Sequence, residues 1–97
     1  MTTQPQQRPS EKLANHQYLI KCSIERGGFS QERIVTFPCY DSKNRLGVDY
    51  MPCHPSHLDE ENQLCRADLL KKQGDKALIN MNGETFKVHI DSLVDNS

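Results

Sequence analysis

The dipeptide Asn82-Gly83 constrains this chain more than any other feature. Both residues tolerate the positive φ angles of a type I′ turn, whose twist matches that of the two strands it joins. Folding the chain there sets Met81 opposite Glu84, Asn80 opposite Thr85 and Ile79 opposite Phe86. Leu78 then faces Lys87, and Ala77 faces Val88. Ala77, Ile79, Phe86 and Val88 share one face of the hairpin, while Asn80, Thr85 and Lys87 line the other with Leu78. The register set by the turn agrees with the register set by apolar alternation, and a slip of one residue would destroy that agreement. The stretch Lys72 to Val94 therefore reads as a β-hairpin closed by a short helical turn.

A chain of 97 residues is long enough for one domain and too short for two ordinary ones. Its apolar fraction of 35% allows a modest core, in which Phe and Tyr must supply the bulk that the missing Trp would give. The net charge of −1 offers no global basic field to hold a phosphate backbone. No apolar run is long enough for a transmembrane helix, so no membrane partner is expected. MTTQPQQRPSEKLAN has no apolar core and does not read as a secretory leader. A cytoplasmic location with reduced thiols at Cys22, Cys39, Cys53 and Cys65 is the resulting expectation.

Residues 1–15 are rich in Gln, Pro, Thr and Ser and read as a disordered tail, leaving 16–97 as a single β-rich domain. Tyr18 to Ile24 alternates as a half-buried strand, with Tyr18, Ile20, Cys22 and Ile24 on one face. Gly27-Gly28 marks a loop with Phe29 at its tip. The ordinary expectation is that Phe29 folds back to plug the core; the alternative is an exposed anchor for a partner. Arg33 to Cys39 is a second strand, and Pro38 puts its end at an edge or a bulge. Leu46 to Met51 is a third, with Leu46, Val48 and Tyr50 on one side, stopped by Pro52 and Pro55.

Residues 56–73 carry two readings. The absence of β-branched residues, a capping Ser56 and a terminating Gly74 favour a helix. The alternation of Cys65, Ala67 and Leu69 with Arg66 and Asp68, and the Gly74-Asp75 turn, favour a strand over Leu64–Lys71, which is the reading adopted. The two halves then share a layout of three strands and a polar-capped turn, at His54–Leu58 and Asp91–Val94, with little residue identity. The expected fold class is mainly β: a small barrel or compact sandwich of about six short strands. The strand–turn–strand–turn–strand–helical-turn order of the second half looks like the later part of SH3-like barrels, a similarity of architecture alone.

Three constellations bear on chemistry. Cys53, His54, His57 and Cys65, with Cys39, supply the soft ligands zinc prefers, but no CxxC pair is present, and cysteines on apolar strand faces behave as small hydrophobes. Cys53 beside His54 has the composition of a nucleophile and base without any other mark of acyl or thiol chemistry. Arg26, Arg33, Lys71, Lys72 and Lys76 could form a basic edge for nucleic acid, diluted by an acidic block at Asp59-Glu60-Glu61. No catalytic residue and no cofactor is indicated. The leading expectation is a non-enzymatic module that binds a protein partner or assembly through loops and a strand edge, with Phe29, Tyr40 and Tyr50 as contact residues. Nucleic-acid binding and a zinc-stabilised domain are the alternatives.

Overall fold

The computed structural model describes residues 8–97. Its central hairpin has the register that the Asn-Gly turn dictates. Strands β7 (Lys76–Met81) and β8 (Glu84–His89) pair Met81 with Glu84, Ile79 with Phe86 and Ala77 with Val88. Asn82 and Gly83 take φ values of 53° and 87°. Ala77, Ile79, Met81 and Val88 are buried and Phe86 is half-buried, so this face looks into the core.

The stretch with two readings is a strand. β6 (Leu64–Gln73) pairs with β7 from Asp68 to Gln73, with a register shift between Leu69 and Lys71. In a helix, residues two apart diverge around the cylinder; in a strand, Cys65 and Ala67 reach the core together, while Asp68 stays exposed. The first expected strand breaks at Cys22 into β1 (Tyr18–Lys21) and β2 (Ser23–Arg26). β1 pairs with the start of β6, and β2 leaves to pair with β3 (Arg33–Tyr40). β4 (Leu46–Cys53) lies along the whole of β3. A 3₁₀ turn, η1 (Pro55–His57), leads to β5 (Leu58–Asp59) on β6, and a second, η2 (Ile90–Ser92), leads to β9 (Leu93–Asp95) on β1. The order β2-β3-β8-β7-β6-β1-β9 curls into a half-barrel, so the expected mainly β fold is what forms.

The shared layout of the two halves extends to the register. Val35 pairs with Met51 as Ile79 pairs with Phe86, and continuing along each hairpin matches Cys53 with Val88 and His54 with His89. Both histidines cap their 3₁₀ turn identically. His54 Nδ1 accepts from the Ser56 N–H at 3.1 Å, and His89 Nδ1 accepts from the Asp91 N–H at 3.0 Å. The first strands match as Leu19-Ile20-Lys21-Cys22 and Leu64-Cys65-Arg66-Ala67. Both runs begin with two buried residues followed by a cation.

The main core holds Val35, Phe37, Met51, Ile79 and Val88, with Phe37 and Phe86 packed edge to face at 4.9 Å between centroids. A second cluster joins Leu13, Leu19 and Leu64 against Val94. It corrects two expectations. Leu19 lies on the far side of its strand from Ile20 yet is fully buried. Within the expected tail, Ser10 and Leu13 are buried; for residues 1–7 that expectation lies outside the described residues. A polar knot holds the segment down. The buried Asn96 accepts from the Ser10 N–H at 2.8 Å, and its amide donates to the carbonyls of Ser10, Leu13 and His16 at 3.0–3.1 Å. Ser10 Oγ in turn donates to Asp59 Oδ2 at 2.6 Å. Composition hid this because the one large apolar residue of the segment is Leu13, and the amide that ties it down, Asn96, lies at the other end of the chain.

Candidate functional site

β4 carries three of the five large hydrophobic side chains exposed among the described residues. Its inward side chains, Met51 and Cys53, are buried. Its alternate side chains, Leu46, Val48 and Tyr50, point outward and are 63%, 71% and 70% exposed. The opposing positions on β3 are Tyr40, Pro38 and Thr36, so Tyr40 and Tyr50 share the outer face. The exposed parts of Leu46, Val48 and Tyr50 amount to roughly 400 Å², within the range of the largest apolar patch on an ordinary monomer, which is often functional.

The same strand has an open main-chain edge. Asp41 N–H donates to the Arg45 carbonyl at 2.9 Å, closing the β3–β4 ladder on a hydrogen-bonded pair. Bonded and non-bonded pairs alternate from there. The pairs Tyr40–Leu46, Pro38–Val48, Thr36–Tyr50 and Ile34–Pro52 are therefore the non-bonded ones. Neither proline is asked for an N–H it lacks; on the other side of β3, where that N–H would point, pairing with β2 ends at Thr36 and pairing with β8 begins at Tyr40, so Pro38 lies at the expected unpaired edge. Leu46, Val48 and Tyr50 consequently aim N–H and C=O away from β3, and among the described residues no strand takes that edge. Asp49 Oδ1 accepts the Tyr50 N–H at 2.8 Å, a self-cap on one of the free donors.

Phe29 is 76% exposed and does not plug the core. It sits in the β2–β3 loop, beyond the Arg33–Cys53 end of the hairpin, so it is remote from Tyr40 and Leu46 at the other end. Tyr40 is half-buried, and the Lys76 ammonium lies 4.9 Å from its ring centroid. The basic residues divide between the two ends of β3. Arg26 and Arg33 are cross-strand partners at its start. Arg33 is held by Glu60 at 2.7 Å and donates to the carbonyls of Ser30 and Glu32. Lys71 and Lys76 line a cleft of about 390 Å³ at the other end with Lys87 and Asn44, whose Oδ1 accepts from Lys87 Nζ at 2.9 Å. Lys72 stands 6.0 Å from the Tyr18 ring centroid. The five expected cations do not form one edge.

A thiol cluster was only partly anticipated. Cys53 and Cys65 are buried in the same core cluster, with Cys22 packed alongside, and Cys65 Sγ donates to the Arg66 carbonyl at 3.4 Å. The neighbouring Cys65 thiol, then the Asn82 Nδ2 donor at 3.2 Å, hold the Cys53 thiol below its ordinary value against the opposing effect of burial. The same contact with Cys53, with burial, pushes Cys65 upward. Burial, then the proximity of Cys53, pushes Cys22 up to about 12. His57 Nδ1 is buried without a hydrogen-bond partner, and burial, then the charge of Arg66, holds the His57 pKa below the usual imidazole value. The hairpin turn is thus more than scaffold: the positive φ of Asn82 aims its amide at a thiol from the other half of the chain. A turn signal in the sequence could not disclose that contact.

Among the described residues no three His, Cys, Asp or Glu side chains converge to hold a metal. The side chains of Cys53, His54, His57 and Cys65 therefore do not converge as the alternative zinc site. All four cysteines are free thiols, and among the described residues no helix is long and apolar enough to cross a membrane. No protein-family model, curated protein or solved structure matches this chain.

Proposed function

We propose that this small β domain is a non-enzymatic binding module that takes a protein partner by strand addition along β4. The observation that carries the reading is the coincidence, on one strand, of a free main-chain edge with three outward apolar side chains. Exposed edges of this kind invite uncontrolled pairing, and chains that have no use for them blunt them with charge, proline or a covering loop. Here the middle of the edge carries Val48, with Asp49 the only charged residue in β4. Main-chain hydrogen bonds from an added strand supply affinity, while Leu46, Val48 and Tyr50 select the side chains that come with it. Tyr40 extends the contact across the outer face, and Phe29 offers a separate anchor at the other end of the hairpin. The long bent β6, followed by β7, β8, a 3₁₀ turn and β9, supports the architectural likeness to SH3-like barrels.

The test compares capture of proteins from native lysate by the wild-type chain and by Val48→Lys, Tyr50→Ser and Phe29→Ala variants of equal thermal stability. A specific partner retained by the wild type and lost with Val48→Lys supports the reading. Capture unchanged in the β4 variants overturns it.

The lysine-lined cleft of Lys71, Lys76 and Lys87 favours a second reading, binding of a polyanion such as nucleic acid. It requires affinity for nucleic acid that falls steeply with salt and drops on neutralising Lys71 and Lys72; a flat salt response removes it.

A further inference from the structure

We infer that the partner strand at β4 is the β4 of a second copy, paired antiparallel about a twofold axis through Val48. This inference rests on the strand-addition reading above and names its occupant.

A symmetric dimer needs a surface complementary to itself. The run Leu46-Gly47-Val48-Asp49-Tyr50 has that property in one register. With Val48 opposite its own counterpart, Leu46 faces Tyr50 of the second copy and Tyr50 faces Leu46. These are the residues whose N–H and C=O point off the open edge, so each pair exchanges both of its main-chain hydrogen bonds. Their side chains, all outward and exposed, meet as aromatic–aliphatic and Val–Val cross-strand pairs. Pro52, the next position with the same phase, has no N–H to give, so the ladder ends where the matched segment ends.

Charge tolerates this register. The self-paired strand sets Asp49 opposite Gly47, with Arg45 and Asp49 of the second copy as its two diagonal neighbours, so each carboxylate that meets a like charge also has a cation within reach of a long side chain. Arg45 is exposed and now pairs only with Asp41, at 2.9 Å. On pairing, Tyr50 N–H passes from Asp49 to the Leu46 carbonyl across the interface, which frees the Asp49 carboxylate to turn to that arginine. Moving the register by two residues in either direction loses the Val48 self-pair and puts Pro52 or the polar turn opposite an apolar residue.

An interface built on one strand edge is at the small end of specific contacts, so association is expected to be weak, with half-dimerisation at about 10 µM or above.

The experiment reads register as well as association. In a Cys39→Ser, Cys53→Ala background of unchanged fold by circular dichroism, Val48→Cys is predicted to give a covalent homodimer with a short bifunctional thiol reagent, because paired Cα atoms lie about 5.5 Å apart. Leu46→Cys alone should not cross-link, since its counterpart lies four residues along, about 13 Å away. A mixture of Leu46→Cys and Tyr50→Cys chains should yield the heterodimer. Sedimentation equilibrium of the wild-type chain should show reversible dimerisation, weakened at least about tenfold in Val48→Lys, which opposes two like charges at the axis. Cross-linking of Leu46→Cys to itself, or a wild-type chain monomeric at millimolar concentration, overturns the inference. If the chain stays monomeric while Val48→Lys abolishes capture of a different protein, the occupant is another chain's strand and the edge reading alone survives. If neither changes, both fail.

Discussion

Replacing Asn96 with Ala tests how the chain ends are secured. The substitution removes, at one buried point, the acceptor of the Ser10 N–H and the donor to three carbonyls. A buried donor left without a partner costs about 1–3 kcal/mol, and an ordinary satisfied hydrogen bond contributes about 1 kcal/mol net. The amide has only two hydrogens for three acceptors, so one is shared, and each carbonyl keeps a second lone pair. Counting the orphaned Ser10 N–H fully and the carbonyls as two bonds gives a destabilisation of about 3–5 kcal/mol. In a domain of this length 1 kcal/mol moves Tm by about 4–8 °C, so a fall of about 12 °C or more is expected in a thermal melt followed by circular dichroism. Asn96→Asp separates hydrogen bonding from volume. It keeps the acceptor for Ser10 but turns a carboxylate toward three carbonyl oxygens, and should be at least as damaging at neutral pH as Ala. A Tm loss below about 4 °C for Asn96→Ala would refute the reasoning, because a knot worth under 1 kcal/mol could not hold the 8–16 segment against its ordering entropy.

Three further outcomes follow from particular contacts. Cys53, held below its ordinary value by the neighbouring Cys65 thiol and the Asn82 amide, should be alkylated by iodoacetamide at a lower pH than Cys22, read by peptide mass; Asn82→Ala should move its profile upward, and an unchanged profile would count against the contact. Asp59 is buried, and hydrogen bonds from Ser10 and Asn62 outweigh that burial to hold its carboxyl below the ordinary value. Its stabilising contribution is complete above the unfolded value of about 3.9 and is lost as pH falls through the lower folded value; Ser10→Ala should flatten the stability–pH curve in that acid range. Gly83→Ala places a Cβ in open space at φ 87°, so its cost is backbone strain alone, about 1–2 kcal/mol by urea unfolding. A neutral Gly83→Ala would mean the turn is not type I′.

The hairpin could be read from the sequence because a two-residue turn and a period of two both act locally, and both gave one register. The phase of Leu46, Val48 and Tyr50 was equally local. Which side of β4 faced the core was not, because Met51 and Cys53 are a less apolar set than the three residues left outside. Only the packing of β3, whose Val35 and Phe37 sit opposite Met51 and Asp49, decides it. Phe29 went against the ordinary expectation because hydrophobicity alone does not say whether a loop can bend back far enough to bury its tip. The Asn82–Cys53 contact and the Asn96–Ser10 contact join residues 29 and 86 apart in sequence, beyond any window of periodicity.

The central claim, that β4 presents a free edge to be filled by another strand, is tested most directly by amide hydrogen exchange at Val48. Its N–H points off the sheet, between an unbonded Leu46 and a Tyr50 capped by Asp49. In dilute protein it should exchange quickly while Ile79, at the centre of the sheet, is protected; on raising the concentration or adding a captured partner it should become protected in step with association. A Val48 amide already slow in the dilute chain, or one that stays fast when the partner is bound, would contradict the account.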